Sequence, residues 1–354
     1  MIDNFTISAQ IKSYAKEQLG IDLIGICKSE KLVIAEKNLH EFLDKKFQGE
    51  MQYLENPEVR TDPSALLPGA KSVIVIAINY YREKSPTTPD HGRIARYAWG
   101  RDYHKVIKKI LKQLIVFLET NWPDHQHRLC VDSAPLLEKA FAEQAGIGFY
   151  GRNTTLISPE LGSFFLLGEI ITTLPIEPSS PRSGSCGTCH RCIDACPTKA
   201  LIAPGKMDAR RCISYLTLES KQPIPEEFGS VSSNLIAGCD ICQEVCPYNL
   251  AKAKPLQLEA LKTIKIAGDE IPLIEILQIN TDQQFLEKFA GSPLMRPKRY
   301  GLIKNSINAV LNAIQLNRQE YLPTFQPLLE KISQHDTDDR LRALASRALE
   351  KIIY

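Results

Sequence analysis

A chain of 354 residues with 44% hydrophobic and 24% charged side chains has the composition of a soluble globular protein, with enough apolar material for two or three domains. Its 43 Lys and Arg nearly balance 41 Asp and Glu, so the net charge of +2 by itself marks neither a nucleic-acid partner nor a membrane surface. No run approaches the roughly 18 apolar residues of a membrane span, and the opening MIDNFTISAQIKSYAKEQLG lacks the apolar core of a signal peptide, which predicts a cytoplasmic protein.

Residues 1–175 alternate between helical and strand patterns and predict an α/β domain. DLIGIC (22–27) and SVIVIAIN (72–79) are short Ile- and Val-rich runs of the kind found in buried strands. KLVIAEKNLHEFLDKKF and DYHKVIKKILKQLIVFLE carry apolar residues at helical spacing. HRLCVD reads as a further strand feeding a helix APLLEKAFAEQAG, and TLIS with SFFLLGEIITTL reads as a strand pair turning at Pro159–Gly162. PIEPSSPRSGS (175–185) has the composition of a linker. The cysteine-rich region 176–255 follows. From about 270 the pattern is helical only. Ile303, Ile307, Val310, Leu311 and Ile314 make one apolar stripe, and Leu341, Leu344, Ala345, Ala348 and Ile352 make another, as in a small bundle or helix-pair repeat spanning 256–354.

Eight of the ten cysteines fall between Cys186 and Cys246, while Cys27 and Cys130 stand in apolar strands and read as buried thiols. A long chain without an export signal keeps its thiols reduced, so a dense cluster points to metal rather than disulfides. Cys186, Cys189, Cys192 and Cys196 have the spacing C-x2-C-x2-C-x3-C-P, the bacterial ferredoxin run for a [4Fe–4S] cluster. Cys239, Cys242 and Cys246 repeat its last three positions, Ile236 stands where the first would be, and Cys212 is the nearby replacement. In two-cluster proteins the fourth cysteine of such a run serves the other cluster. One cluster is therefore expected on Cys186, Cys189, Cys192 and Cys246, the other on Cys196, Cys212, Cys239 and Cys242. Structural zinc also uses paired C-x2-C, but it does not require the continuous run that closes on Pro197.

A ferredoxin needs little beyond its cysteines, so the N-terminal domain should hold the site that uses the electrons. GIGFYGRN lacks the order of a dinucleotide fingerprint, and the seven histidines are scattered. Asp132 ends the strand RLCVD just before a helix. It reads either as a carboxyl facing a ligand at a strand's end or, more simply, as a cap for the helix APLLEKAF, where Pro135 suits the first turn.

Several long segments resemble the epoxyqueuosine reductase family: GEMQYLENPEVRTDPSALLPGAKSVIVIAINY (49–80), RYAWGRDYH (96–104), VDSAPLLEKAFAEQAGIGFYGRNTTLISPELGSFFLLGEI (131–170), CGTCHRCIDACPTKAL (186–201), RRCISYLTLE (210–219) and GCDICQEVCPYN (238–249). The resemblance implies an α/β (α+β) cobalamin-binding domain, a module with two [4Fe–4S] clusters and an all-α HEAT-like C-terminal region. It implies deoxygenation of an epoxide on the modified wobble base of tRNA, with the clusters feeding electrons to cobalamin. It assigns the proton donor to Asp132, and it gives Arg60, Tyr97, Asp132, Arg152, Asn153 and Ser158 as residues bordering cobalamin. Where the family commonly has Lys before Asn153, this chain has Arg152, whose forked guanidinium replaces a point charge. The partners implied are a tRNA anticodon stem-loop and an external electron donor of ferredoxin or flavodoxin type, with no membrane partner and a monomeric enzyme.

A nucleic-acid substrate calls for local basic surface. Residues 291–318 contain Arg296, Lys298, Arg299, Lys304 and Arg318 and no acid; the first four are candidate tRNA contacts. Residues 93–112 carry Arg93, Arg96, Arg101, Lys105, Lys108, Lys109 and Lys112 against Asp102 alone. Two other classes share the cysteine pattern. A corrinoid reductive dehalogenase normally carries a twin-arginine export signal, absent here, and an electron-transfer subunit would leave the N-terminal domain without a task.

Overall fold

The computed structural model describes residues 4–252, 256, 258–262 and 267–353; the expected boundary at 255 lies outside them. The N-terminal part runs α1 (Asn4–Glu17), β1 (Leu23–Lys28), α2 (Val33–Asp44), α3 (Pro57–Thr61), β2 (Ser72–Asn79), β3 (His91–Ile94), α4 (Tyr103–Asn121), β4 (His127–Cys130), α5 (Glu138–Gln144), β5 (Phe149–Tyr150), β6 (Leu156–Ile157) and β7 (Phe165–Thr172). Its main sheet has the order β1-β2-β7-β4, and every pair in it is antiparallel. β2 is buried at all eight positions because helices cover both faces. Ile74, Ile76 and Ile78 pack beneath α1 and α4, with Ile11, Ile107, Leu111, Leu114 and Leu118, while Val73, Val75 and Ala77 pack against Phe141, Ala142 and Ala145 on the α5 side. A strand covered on both faces loses the polar alternation that usually marks an antiparallel sheet. The sheet is therefore α+β in character, although its sequence reads as α/β. Gly25 admits the end of α5, since a Cβ there would stand 2.0 Å from the Ala145 carbonyl oxygen.

Three further expectations change. TLIS and SFFLLGEIITTL do not pair with each other along their length: β6 pairs with β5, β7 takes the centre of the main sheet, and only Ser158 and Gly162 bridge the turn. The Pro- and Ser-rich segment 175–185 is docked along β1, where Ser179 N donates to the Ile26 carbonyl (2.8 Å) and Ile26 N donates to Ser179 Oγ (3.0 Å). The C-terminal part is not wholly helical. Glu270–Pro272 forms a strand antiparallel to β3, whose other edge pairs in parallel with Leu235–Ala237 of the cysteine region. Beyond it, the helices Lys298–Leu316, Arg318–His335 and Asp339–Ile353 pack on one another through the expected stripes, with Ile303, Ile307, Val310, Ile314, Leu341, Ala345, Ala348 and Ile352 all buried. No helix among the described residues is long and apolar enough to cross a membrane.

Candidate functional site

Within the cysteine region two short helices, Arg191–Ala195 and Ile241–Glu244, pack against each other. Cys186, Cys189, Cys192 and Cys246 line one cavity of about 160 Å³ together with Arg152, Asn153, Ile157 and Tyr248. Cys196, Cys212, Cys239 and Cys242 form the second group, close enough for their sulfurs to perturb one another. None of the ten cysteines is in a disulfide. Ile236 is buried in the strand Leu235–Ala237, within the apolar core shared with the C-terminal helices. Burial pushes the Cys239 thiol up to about 12 and Cys242 well above the usual thiol value, and the neighbouring sulfurs push further. Such a group becomes thiolate only around a strong positive charge, which a bound metal cluster supplies. Backbone donors already face the sulfurs: Arg152 N lies 3.4 Å from Cys186 Sγ and Ala200 N 3.3 Å from Cys196 Sγ.

Asp132 follows β4 in a turn, not at a helix start. α5 begins at Glu138, so the capping role does not arise, and Asp132 adopts φ 46°. The strand-end argument also fails, because it belongs to parallel sheets. What remains is a carboxyl 53% exposed, whose Oδ2 accepts from His104 Nε2 at 2.8 Å. The other ring nitrogen of His104 bonds Asp102 at 2.6 Å, and Asp102 also caps α4 by accepting from His104 N at 3.0 Å. Burial opposes the charge on His104, but the two carboxylates outweigh it and raise the imidazole to about 9. At neutral pH the proton therefore rests on His104, between Asp102 and Asp132.

Around Asp132 the chain gathers Tyr53, Arg60, Tyr97, Tyr103, Glu138 and Arg296 from distant segments. The Tyr103 ring stacks on His104 (centroids 4.1 Å apart) and meets Tyr97 edge-on at 6.2 Å. Tyr97 also borders the cluster loop, 3.4 Å from where a Cβ on Gly238 would stand. From the other side comes Lys139, exposed, its Nζ donating to the Thr154 carbonyl at 2.9 Å and near enough to Glu138 and the Cys242 sulfur for both to act on its charge. Tyr97, Glu138 and Lys139 thus stand between Asp132 and the second cysteine group. His104, Asp102, Glu138, Lys139 and Tyr53 were not legible as site residues; the pairing of a capping Asp with a His two residues on, at the start of α4, was the one local signal.

The remaining expected contacts divide. Arg60 is buried and turned inward, donating from Nε (2.9 Å) and Nη2 to the Tyr53 carbonyl. The Arg152 guanidinium is taken up by the first cluster loop, on His190 Nε2 (2.8 Å) and the Gly187 carbonyl (2.6 Å). Ser158 is 0% exposed and its Oγ accepts from Glu160 N and Leu161 N within its own turn, so it cannot face a cofactor. Asn153 lines the first cavity, and its buried Nδ2 has no partner among the described residues. Of the expected RNA contacts, two are corrected. Arg299 is buried in an ion pair with Asp336, and Lys304 is buried with Nζ donating to the carbonyls of Leu216, Ser220 and Gln222 at 2.8–3.0 Å. Charge counted along the sequence took no account of their facing inward. Lys298 is exposed, while Arg296 forks onto Glu219 (2.9 and 2.8 Å) and lies over the Tyr53 ring, near Asp132. Arg93 and Arg96 are likewise buried, whereas Arg101, Lys105, Lys108, Lys109 and Lys112 are exposed, the four lysines on α4.

Two groups of four cysteines near a supported, exposed carboxyl define a double-cluster iron–sulfur protein with a site of its own, and residues 185–249 match the family described as "4Fe-4S double cluster binding domain". Residues 60–133 match the family "Epoxyqueuosine reductase QueG, DUF1730". The chain is 41% identical over 305 residues to an epoxyqueuosine reductase of Leadbetterella byssophila, covering 84% of this chain and 96% of that protein. It is 40% identical over 274 residues to one of Synechocystis, covering 77% and 94%. A crystal structure of epoxyqueuosine reductase with a tRNA-Tyr epoxyqueuosine-modified stem loop superposes with a TM-score of 0.89 at 32% identity, covering 99% of this chain and 91% of that one. An epoxyqueuosine reductase from Bacillus subtilis, described with its catalytic aspartate loop swung out of the active site, gives 0.87 at 32% identity with the same coverage. The chain belongs to the epoxyqueuosine reductase family.

Proposed function

We propose that this protein reduces the epoxide of epoxyqueuosine at the wobble position of tRNA to the alkene of queuosine, the last step of queuosine biosynthesis. The balance requires two electrons and two protons, with the epoxide oxygen leaving as water. The observation that carries the reading is Asp132, exposed, bonded to the His104–Asp102 pair and set near the second cysteine group. An electron-transfer subunit has no use for that arrangement. The Bacillus subtilis relative, described with its catalytic aspartate loop swung out of the active site, supports the same assignment.

The electrons come from two [4Fe–4S] clusters on the two cysteine groups, refilled by an external carrier of ferredoxin or flavodoxin type. The side chains gathered between Asp132 and the cysteine groups suit a large flat group: aromatic Tyr97, exposed Asp132, Ser133 and Lys139, and, beside the first cavity, the Asn153 Nδ2 that has no partner among the described residues. Tyr97, Lys139 and Asn153 are the residues that would hold cobalamin, which when bound supplies a strongly reducing, nucleophilic cobalt centre. The proton that Asp132 delivers to the oxygen leaving carbon is held at His104 Nε2 and passes through the Asp132 carboxylate; Asp102 fixes the ring. Catalysis is assigned to residues 1–175 and electron delivery to 176–255. Residues 256–354, with their HEAT-like helices, support the anticodon stem-loop. The exposed lysines of α4, which starts at the Asp132 site, suit its phosphates. The enzyme acts as a monomer in the cytoplasm.

Asp132→Asn tests the reading. It keeps an acceptor for His104 but cannot give up a proton, so kcat should fall about 10²–10⁴-fold with iron, cobalt and RNA affinity unchanged. Full turnover by this variant removes Asp132 as the donor.

A further inference from the structure

Beneath the turn that carries Asp132 lies a carboxyl pair with no part in the proton path just described. Glu169 stands in the middle of the main sheet, opposite Val75 on one side and Cys130 on the other, and is 0% exposed. Neither of its oxygens accepts a hydrogen bond from any described residue. A buried carboxylate with no donor is too costly to persist, whereas a neutral carboxylic acid has an O–H to give. The acceptor facing it is Glu138, the first residue of α5. Glu138 in turn accepts the backbone N–H of Asp132 through Oε1. The turn needs such a hold, because φ 46° at Asp132 is a conformation that L-residues adopt at a cost.

We propose that Glu169 and Glu138 form a proton-sharing carboxyl pair that latches the Asp132 turn in its donating position: the Glu169 O–H donates to Glu138, and Glu138 accepts the Asp132 N–H. Both are positioning residues acting through Asp132, so the inference rests on Asp132 being the proton donor. The environment agrees. Burial, then the charge of Asp132, raises Glu138 to about 7, and burial, then the charge of Glu138, raises Glu169 well above the usual carboxylate range. One proton shared between the two carboxyls leaves the pair a single negative charge, carried on Glu138, where two ionised groups would place two.

Hydrogen exchange of the peptide spanning residues 131–137 and steady-state kinetics on the holoenzyme test it. Glu138→Ala should speed exchange in that peptide, and lower kcat, by about tenfold or more, with KM for the stem-loop within about twofold. Glu138→Gln keeps an acceptor, and Glu169→Gln keeps a donor; each should return both readouts to within about threefold of wild type, whereas Glu169→Leu should behave like Glu138→Ala. If the alanine variant does not fold, Glu138→Met, similar in size but without an acceptor, asks the same question. Unchanged exchange and kcat in Glu138→Ala or Glu138→Met overturn the latch, as does a Glu138→Gln as damaged as they are. Asp132→Asn assayed in parallel separates the two ideas: if it turns over normally, the donor assignment has failed, whatever the exchange data show about the latch.

Discussion

Replacing His104 with Gln removes the one group that stores a proton against Asp132. The amide can still bridge to a carboxylate but cannot carry charge. In the folded protein the imidazole rises from the ordinary 6.5 to about 9, which corresponds to about 3 kcal/mol of preference for the imidazolium. That preference is the net of burial, which opposes it, and the bonds to Asp102 and Asp132, which win. The sign follows. Stabilisation by this network is fully present below pH 6.5 and is lost as pH rises through about 9. Wild-type kcat should therefore decline on the alkaline side, around pH 9, as the stored proton leaves. His104→Gln should lower kcat about 10–100-fold and erase that limb. The assay is kcat against pH with a saturating epoxyqueuosine stem-loop and a chemical reductant. A variant that keeps both the wild-type rate and the same alkaline limb would refute the proton-storage role.

Cys189→Ala should lose about half the iron and stop electron delivery; full iron content would contradict its place in the first cluster. Reversing Lys105, Lys108 and Lys112 to Glu should weaken stem-loop binding and reduce the slope of log Kd against log salt by about 2; an unaltered slope clears α4 of phosphate contact. Lys304→Met strips the donor from three carbonyls and should cost about 2 kcal/mol, seen as a lower denaturation midpoint. Weaker RNA binding at unchanged stability would return Lys304 to the surface role read from its sequence.

The cysteine ligand groups could be read from spacing because a cubane needs closely set corners, and short loops provide them. Asp132 stood out as an acid at a strand's end, but its support did not, since His104 lies 28 residues earlier and meets it only because α4 begins beside the turn after β4. Nothing in SFFLLGEIITTL marks Glu169 as buried; its burial depends on β7 being central, with β2 and β4 on either side. Arg299 and Lys304 misled for the converse reason: a helix that docks on the cysteine region can bury cations when carbonyls or Asp336 await them. Period and spacing reveal faces and ligands; they do not reveal which face another part of the chain will cover.

The most direct test of the account is the mass of the modified base in a stem-loop incubated with anaerobically prepared protein, a low-potential reductant and cobalamin. Loss of one oxygen atom, dependent on both Asp132 and the cluster cysteines, is the predicted result. An unchanged base in a preparation with full iron, sulfide and corrin content would contradict it.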